Sequence, residues 1–215
     1  MNLLNNGDAI QPDYSMYEML TSAAARKIPA GRNATPRHCI DARSTGMLVK
    51  IKFKMATSNF DLILRPTEIA DLERLFQFQL DKEAGYLAAF MPANPADKVA
   101  YFSKFRRLLA DPTVNNQTII LNNTIVGSIA KFIMEADAEI TYWIDRSCWG
   151  QGIATAALKR FLEMEQTRPI YGRVAFDNLA SQKVLEKNGF IKVGTDRAFA
   201  NARQEEIEEF IFKLT

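Results

Sequence analysis

Gly150-Gln151-Gly152 lies between Ile140-Thr141-Tyr142-Trp143-Ile144, which reads as a strand, and a helical pattern that opens at Ile153-Ala154-Thr155. Glycines in such a turn permit positive φ and let the chain's backbone approach a ligand. The amides and dipole at the start of the following helix favour an anion such as a pyrophosphate. A tight strand-to-helix connection would need the same residues. A dinucleotide fingerprint asks for a third Gly or Ala where Thr155 stands, so a nucleotide-dependent reductase fits poorly.

The rest of the chemical inventory is small. His38 is the single histidine, which leaves a Ser-His-Asp hydrolase or a His-ligated zinc centre almost nothing to draw on. Cys39 and Cys148 lie far apart and suggest no disulfide framework. His38 and Cys39 are assigned no catalytic role, and no metal is expected. Proton transfer would therefore fall to carboxylates, hydroxyls or water.

The elements that must position these residues occupy the last three quarters of the 215-residue chain. Phe60–Pro66 reads as a strand ended by proline. Thr67 reads as a helix cap for a pattern running to Phe76. Residues 97–110 suit a second helix. Thr118–Leu121 and Thr124–Ala130 flank Asn122-Asn123 as a hairpin. Ala138–Ile144 is a strand, Gly150–Thr167 a helix with one apolar face, and Ile170–Phe176 a strand. Leu179–Asn188 is a helix closed by Gly189. Phe190–Gly194 and Ile207–Leu214 are the closing strands. This order implies an α/β mixed sheet with helices on both faces.

Residues 1–54 have little periodicity, apart from the alternating Met47–Lys54, which could form a short strand. They hold eight Lys or Arg against four Asp or Glu, a net of +4, whereas the remainder holds 19 against 21, a net of −2. The expectation is a poorly structured extension over 1–54, or a mis-assigned start, before a domain over 55–215. A mildly acidic domain suggests no nucleic-acid partner. No apolar run nears the roughly 20 residues of a membrane span. The expected location is cytoplasmic, and the expected state is monomer or homodimer.

A second stretch gives the glycine turn its meaning: Asn178-Leu179-Ala180-Ser181-Gln182-Lys183-Val184-Leu185-Glu186-Lys187-Asn188-Gly189-Phe190. With Trp149-Gly150-Gln151-Gly152-Ile153-Ala154-Thr155, it resembles the GNAT superfamily of acyl-CoA-dependent N-acetyltransferases, in the form of the ribosomal-protein N-terminal acetyltransferase branch. The resemblance covers about residues 60–214. It implies a central, mostly antiparallel sheet flanked by helices, with acetyl-CoA as cosubstrate. It also implies that the amides of Gly150, Gln151, Gly152, Ile153, Ala154 and Thr155 hold the pyrophosphate. The backbone of Tyr142, Trp143 and Ile144 would pair with the pantetheine arm as an added strand, with Asn178 contacting the cofactor or capping its helix. Leu185 stands where many members carry a tyrosine that protonates the leaving thiolate. Ser181 is the best replacement.

Glu139 is the leading candidate for the base, entering the strand expected to cross the site, with Glu135 and Asp137 weaker. Tyr86, Phe90 and Met91 lie between the first two helices, where this fold shapes its acceptor pocket. Glu205–Glu209 reads as a solvated strand face. The expected reaction is direct acetyl transfer to a primary amine, with a strand amide near Trp143 stabilising the oxyanion. At pH 7 a lysine amine is neutral about one part in a thousand and an α-amine about one in ten, which leans toward an α-amine or a small amine. The rival reading is a non-catalytic acyl-CoA-binding regulatory module.

Overall fold

The structure is a computed structural model that describes residues 61–215; the Met47–Lys54 strand and the 1–54 extension lie outside them. The described chain runs β1 (Leu62–Pro66), α1 (Leu72–Gln79), α2 (Lys82–Ala88), α3 (Lys98–Ala110), β2 (Asn115–Leu121), β3 (Thr124–Met134) and β4 (Asp137–Ile144). It continues through α4 (Ile153–Met164), β5 (Ile170–Ala175), α5 (Leu179–Lys187), β6 (Ile191–Ala200) and β7 (Glu205–Leu214). The seven strands form one sheet in the order β1-β2-β3-β4-β5-β7-β6. Every neighbouring pair is antiparallel except β4 and β5. The mixed, mostly antiparallel architecture expected from the sequence is what forms.

Two-residue turns set the central hairpins. Asn122-Asn123 and Glu135-Ala136 all have positive φ, the backbone whose twist matches that of the flanking strands. Asparagine tolerates this region well; Glu135 and Ala136 lack that preference, which hides the second turn from sequence reading.

The two faces of the sheet carry different helices. On one, α4 buries Ile153, Ala157, Leu158 and Phe161, the stripe its spacing dictates. They pack with Ile129, Ile140, Ile170 and Phe212 in the main core. Burial of each of the larger side chains stabilises by about 1.5–3 kcal/mol. On the other face, α1 packs on β3 and α2 on β5. A half-buried ion pair anchors α1: Arg65 Nη1 and Nη2 donate to Asp71 at 2.7 and 2.6 Å, and Thr118 donates to the same carboxylate at 2.9 Å.

Several boundaries differ from the sequence reading. Thr67 does not cap a helix: it is buried and donates to Asn116 Oδ1 at 3.1 Å. Residues 69–71 form a 3₁₀ turn before α1. The segment holding Tyr86 is itself a helix, α2, capped by Asp81, whose carboxylate accepts from the Glu83 and Ala84 amides. It is too short to show a period, and its Gly85 argued against it. β6 extends to Ala200, six residues past the expected end.

Candidate active site

β4 and β5 pair in register only at Ala138–Ile170, Glu139–Tyr171 and Ile140–Gly172. Beyond Ile140 the two strands part, and β4 stays paired with β3 as far as Ile144. The Asp145 amide donates to Val126 O at 2.8 Å. Strand alternation then turns the amides of Thr141 and Trp143 toward β3, and those of Tyr142 and Ile144 into the gap. Trp149 Nε1 donates to the Ile144 carbonyl at 2.9 Å, as that direction requires. Near Trp143, the gap-facing amides are thus those of Tyr142 and Ile144.

Gly127 lets β3 approach this part of β4 closely: a Cβ there would collide with the Trp143 carbonyl oxygen. A β-bulge at Val126 marks the same place. The sheet is thus held tight on the β3 side and open on the β5 side.

At one end of the gap lies the glycine turn. Gly150 and Gly152 have φ of 73° and 79°. A Cβ on either would meet nothing within 4 Å, so the turn borders open space. Asp81, Asp97 and Asn178 cap α2, α3 and α5 with their side chains, but α4 starts at Gly152 with no side-chain cap. Its first backbone bond runs from Ala156 N–H to Gly152 O. The preceding amides are left for an anionic ligand. Arg146 fixes the approach to the turn by donating to Asp81 at 2.7 Å and Glu83 at 2.6 Å.

One cavity of about 520 Å³ runs through the gap. Gly150, Gly152, Ile153, Ala154 and Thr155 line it, with Tyr142, Trp143, Ile144, Asn178 and Ser181; Gln151 does not, its side chain donating instead to Ser147 O at 3.1 Å. Asn178 is an N-cap: its Oδ1 accepts from Ser181 N at 3.1 Å, and its Nδ2 donates to Leu87 O at 3.1 Å, tying α5 to α2. The Tyr142 hydroxyl donates to Ser181 O at 3.2 Å, which steadies the first turn of α5; burial pushes its pKa to about 12. Among the described residues the Ser181 hydroxyl has no hydrogen bond. Leu185 is buried against Gly172 and has no polar atom to offer.

Glu139 lines the opposite face of the gap and is 4% exposed. Arg173 Nε donates to it at 3.2 Å, and Arg173 Nη1 donates to Glu209 at 3.1 Å. Burial raises both carboxyls to about 7, against the pull of Arg173 between them. Glu209 is fully buried, with Oε1 unpartnered. This corrects the reading of 205–209 as a solvated face: Glu205, Glu206 and Glu208 are exposed, but Glu209 is buried on β7, between β5 and the edge strand β6.

Phe90 and Met91 line the cavity, whereas Tyr86 does not. It is 51% exposed, with Arg203 stacked on its ring at 4.5 Å. The helical period of α2 turns Ala84, Leu87 and Ala88 inward instead. Glu135 and Asp137 are exposed and reach Glu139 only through their charge. Lys183 and Lys187 also line the cavity, four residues apart on one face of α5. That spacing, and a lone arginine in the apolar strand Ile170–Ala175, were the available signals for residues the sequence reading missed.

The Glu139–Arg173–Glu209 cluster makes stability depend on pH. Both carboxyls titrate near 7 in the folded chain, against about 4.5 when unfolded. Between those values the folded state binds more protons, so stability falls as pH rises through that window. Melting temperature measured from pH 5 to pH 8 should decline. Glu209→Gln should flatten the decline; an equal slope in the variant would remove Glu209 as its source.

A strand pair that opens around an uncapped glycine-led helix and a carboxylate defines an acyl-CoA-dependent transferase architecture. The sequence profile of the acetyltransferase (GNAT) domain matches residues 61–191, and the chain belongs to the GNAT family of acetyl-CoA-dependent N-acetyltransferases. It is 26% identical over 166 residues to an uncharacterized N-acetyltransferase, p20, from Bacillus licheniformis, covering 71% of this chain and 92% of the relative. Among solved structures, a ribosomal-protein-alanine N-acetyltransferase from Brucella melitensis superposes with a TM-score of 0.61 at 16% identity, covering 71% of this chain and 98% of that one. A spermidine N-acetyltransferase from Vibrio cholerae, in complex with CoA and spermine, superposes with a TM-score of 0.59 at 18% identity, covering 71% and 95%. These two share the fold with this chain.

Proposed function

We propose that this chain transfers the acetyl group of acetyl-CoA directly to the nitrogen of a primary amine, an α-amine or a small-molecule amine, within a ternary complex. The observation that carries the reading is the single cavity linking the open end of α4 to the buried Glu139 through the β4–β5 gap. A cosubstrate and an acceptor can meet there without a covalent enzyme intermediate.

Each step has a residue to serve it. The open amides of α4 hold the pyrophosphate, and the Tyr142 and Ile144 backbone pairs with the pantetheine arm in place of β5. Glu139, directly or through a water, takes a proton from the acceptor ammonium. A carboxyl near 7 suits a base working at neutral pH. The amine nitrogen then attacks the thioester carbonyl, and a gap-facing strand amide stabilises the oxyanion. The carbon–sulfur bond breaks. The nitrogen gives up its second proton to water as the amide forms, while Ser181 passes its hydroxyl proton to the thiolate and regains one through that water.

Initial rates of thiol release, with acetyl-CoA and amine both varied, test this. Intersecting double-reciprocal lines, and no release without amine, are expected. Parallel lines or an acetylated enzyme would overturn the ternary complex. Binding of acetyl-CoA without release under any amine would favour a regulatory module, the reading to which buried Leu185 lends support.

A further inference from the structure

We propose that the acceptor is a monoamine carrying a large apolar group beside its amine, and that this group fills the half of the cavity between α1, α3 and β3. The proposal rests on the amine-acetylating function given above and names its substrate class. On the sheet face that carries Glu139, the cavity extends away from the glycine turn. Leu75 and Phe78 on α1, Phe105 and Leu108 on α3, and Phe132 and Met134 on β3 line it there. Phe105 is held by Tyr101, ring centroids 4.4 Å apart, and Tyr101 in turn by Phe76 at 5.1 Å. This is a fixed aromatic wall, suited to a body of aromatic or branched aliphatic size.

Two polar residues of this half are turned to the protein. Gln79 donates to Pro95 O at 2.7 Å, and Asn116 Oδ1 accepts from Thr67 at 3.1 Å. Among the described residues one carboxylate lines it, Glu139, already joined to Arg173. One carboxylate can receive one ammonium. A second or third ammonium would meet Arg173 and an apolar wall, with no further carboxylate among the described lining residues to offset its desolvation. The lining therefore disfavours polyamines.

The wild-type protein can be tested with three acceptors at saturating acetyl-CoA: L-phenylalaninamide, L-alaninamide and spermidine. The first two present α-amines of one chemical class and differ in the apolar group. Phenylalaninamide should have at least a tenfold higher kcat/KM than either of the others, chiefly through KM. Phe105→Ala should narrow its lead over alaninamide at least threefold by raising the phenylalaninamide KM. Equal or better turnover of alaninamide, or the highest kcat/KM for spermidine, overturns the proposal while leaving amine acetylation intact. No thiol release with any amine overturns the acetyltransferase reading, and this inference with it.

Discussion

Gly152→Asp is expected to abolish acetyl-CoA binding while leaving the fold in place. Gly152 sits at φ 79° at the start of α4, and a Cβ there would meet nothing within 4 Å. The backbone cost is that of a left-handed L-residue, about 1–2 kcal/mol, and aspartate is among the residues that bear it best. What changes is the ligand side. A carboxylate would stand where the open amides meet the pyrophosphate. Two like charges about 4 Å apart at the protein surface repel by about 4 kcal/mol, so a loss of at least roughly 100-fold in affinity follows. Gly152→Ala, with the same backbone strain and no charge, should lose much less. Calorimetric titration of both variants, with melting temperature as the fold control, checks this. Undiminished affinity in a folded Gly152→Asp protein would show that the pyrophosphate lies elsewhere.

Glu139→Gln is the second large effect. If Glu139 takes the proton, kcat should fall roughly 10²- to 10⁴-fold, with acetyl-CoA affinity unchanged. The wild-type rate should rise with pH through about 7, where this carboxyl ionises. In the variant that rise should vanish. Acceptors of different amine pKa separate this limb from the acceptor's own titration. The substitution keeps the side-chain volume but takes one of two buried carboxylates from Arg173, so the melting temperature will move too. The pH profile distinguishes chemistry from stability. Ser181→Ala should cost less than Glu139→Gln: a thiol of pKa about 8.5 already leaves well, and protonation assists without being essential. Wild-type kcat and pH dependence in Glu139→Gln would mean that the acceptor enters with its amine already neutral.

The sequence displayed the parts of this site that follow from local chemistry. The glycine turn, the α4 stripe and the Asn178 cap are each written within a few consecutive residues, and each forms where its spacing places it. What the sequence hid depends on contacts between distant strands. Glu139, Arg173 and Glu209 stand on β4, β5 and β7, and only the β4-β5-β7 order brings them together. Strand period alone could not tell which of four closely spaced glutamates turns inward, because that depends on β6 covering the outer edge of β7. Tyr86 was misjudged because α2 is short and its inward face is set by packing on β5. The parting of β4 and β5 leaves no residue signature of its own beyond the strand that continues after its partner turns away.

The proposed reaction is direct transfer of acetyl from acetyl-CoA to an amine nitrogen in the β4–β5 gap. Mass spectrometry of a reaction containing the purified protein, acetyl-CoA and phenylalaninamide tests it most directly, with released thiol measured alongside. An amine product heavier by one acetyl group, formed in equal amount with free CoA, is expected, with protein of unchanged mass at every time point. Free CoA without acetylated amine, or acetyl found on the protein itself, would contradict it.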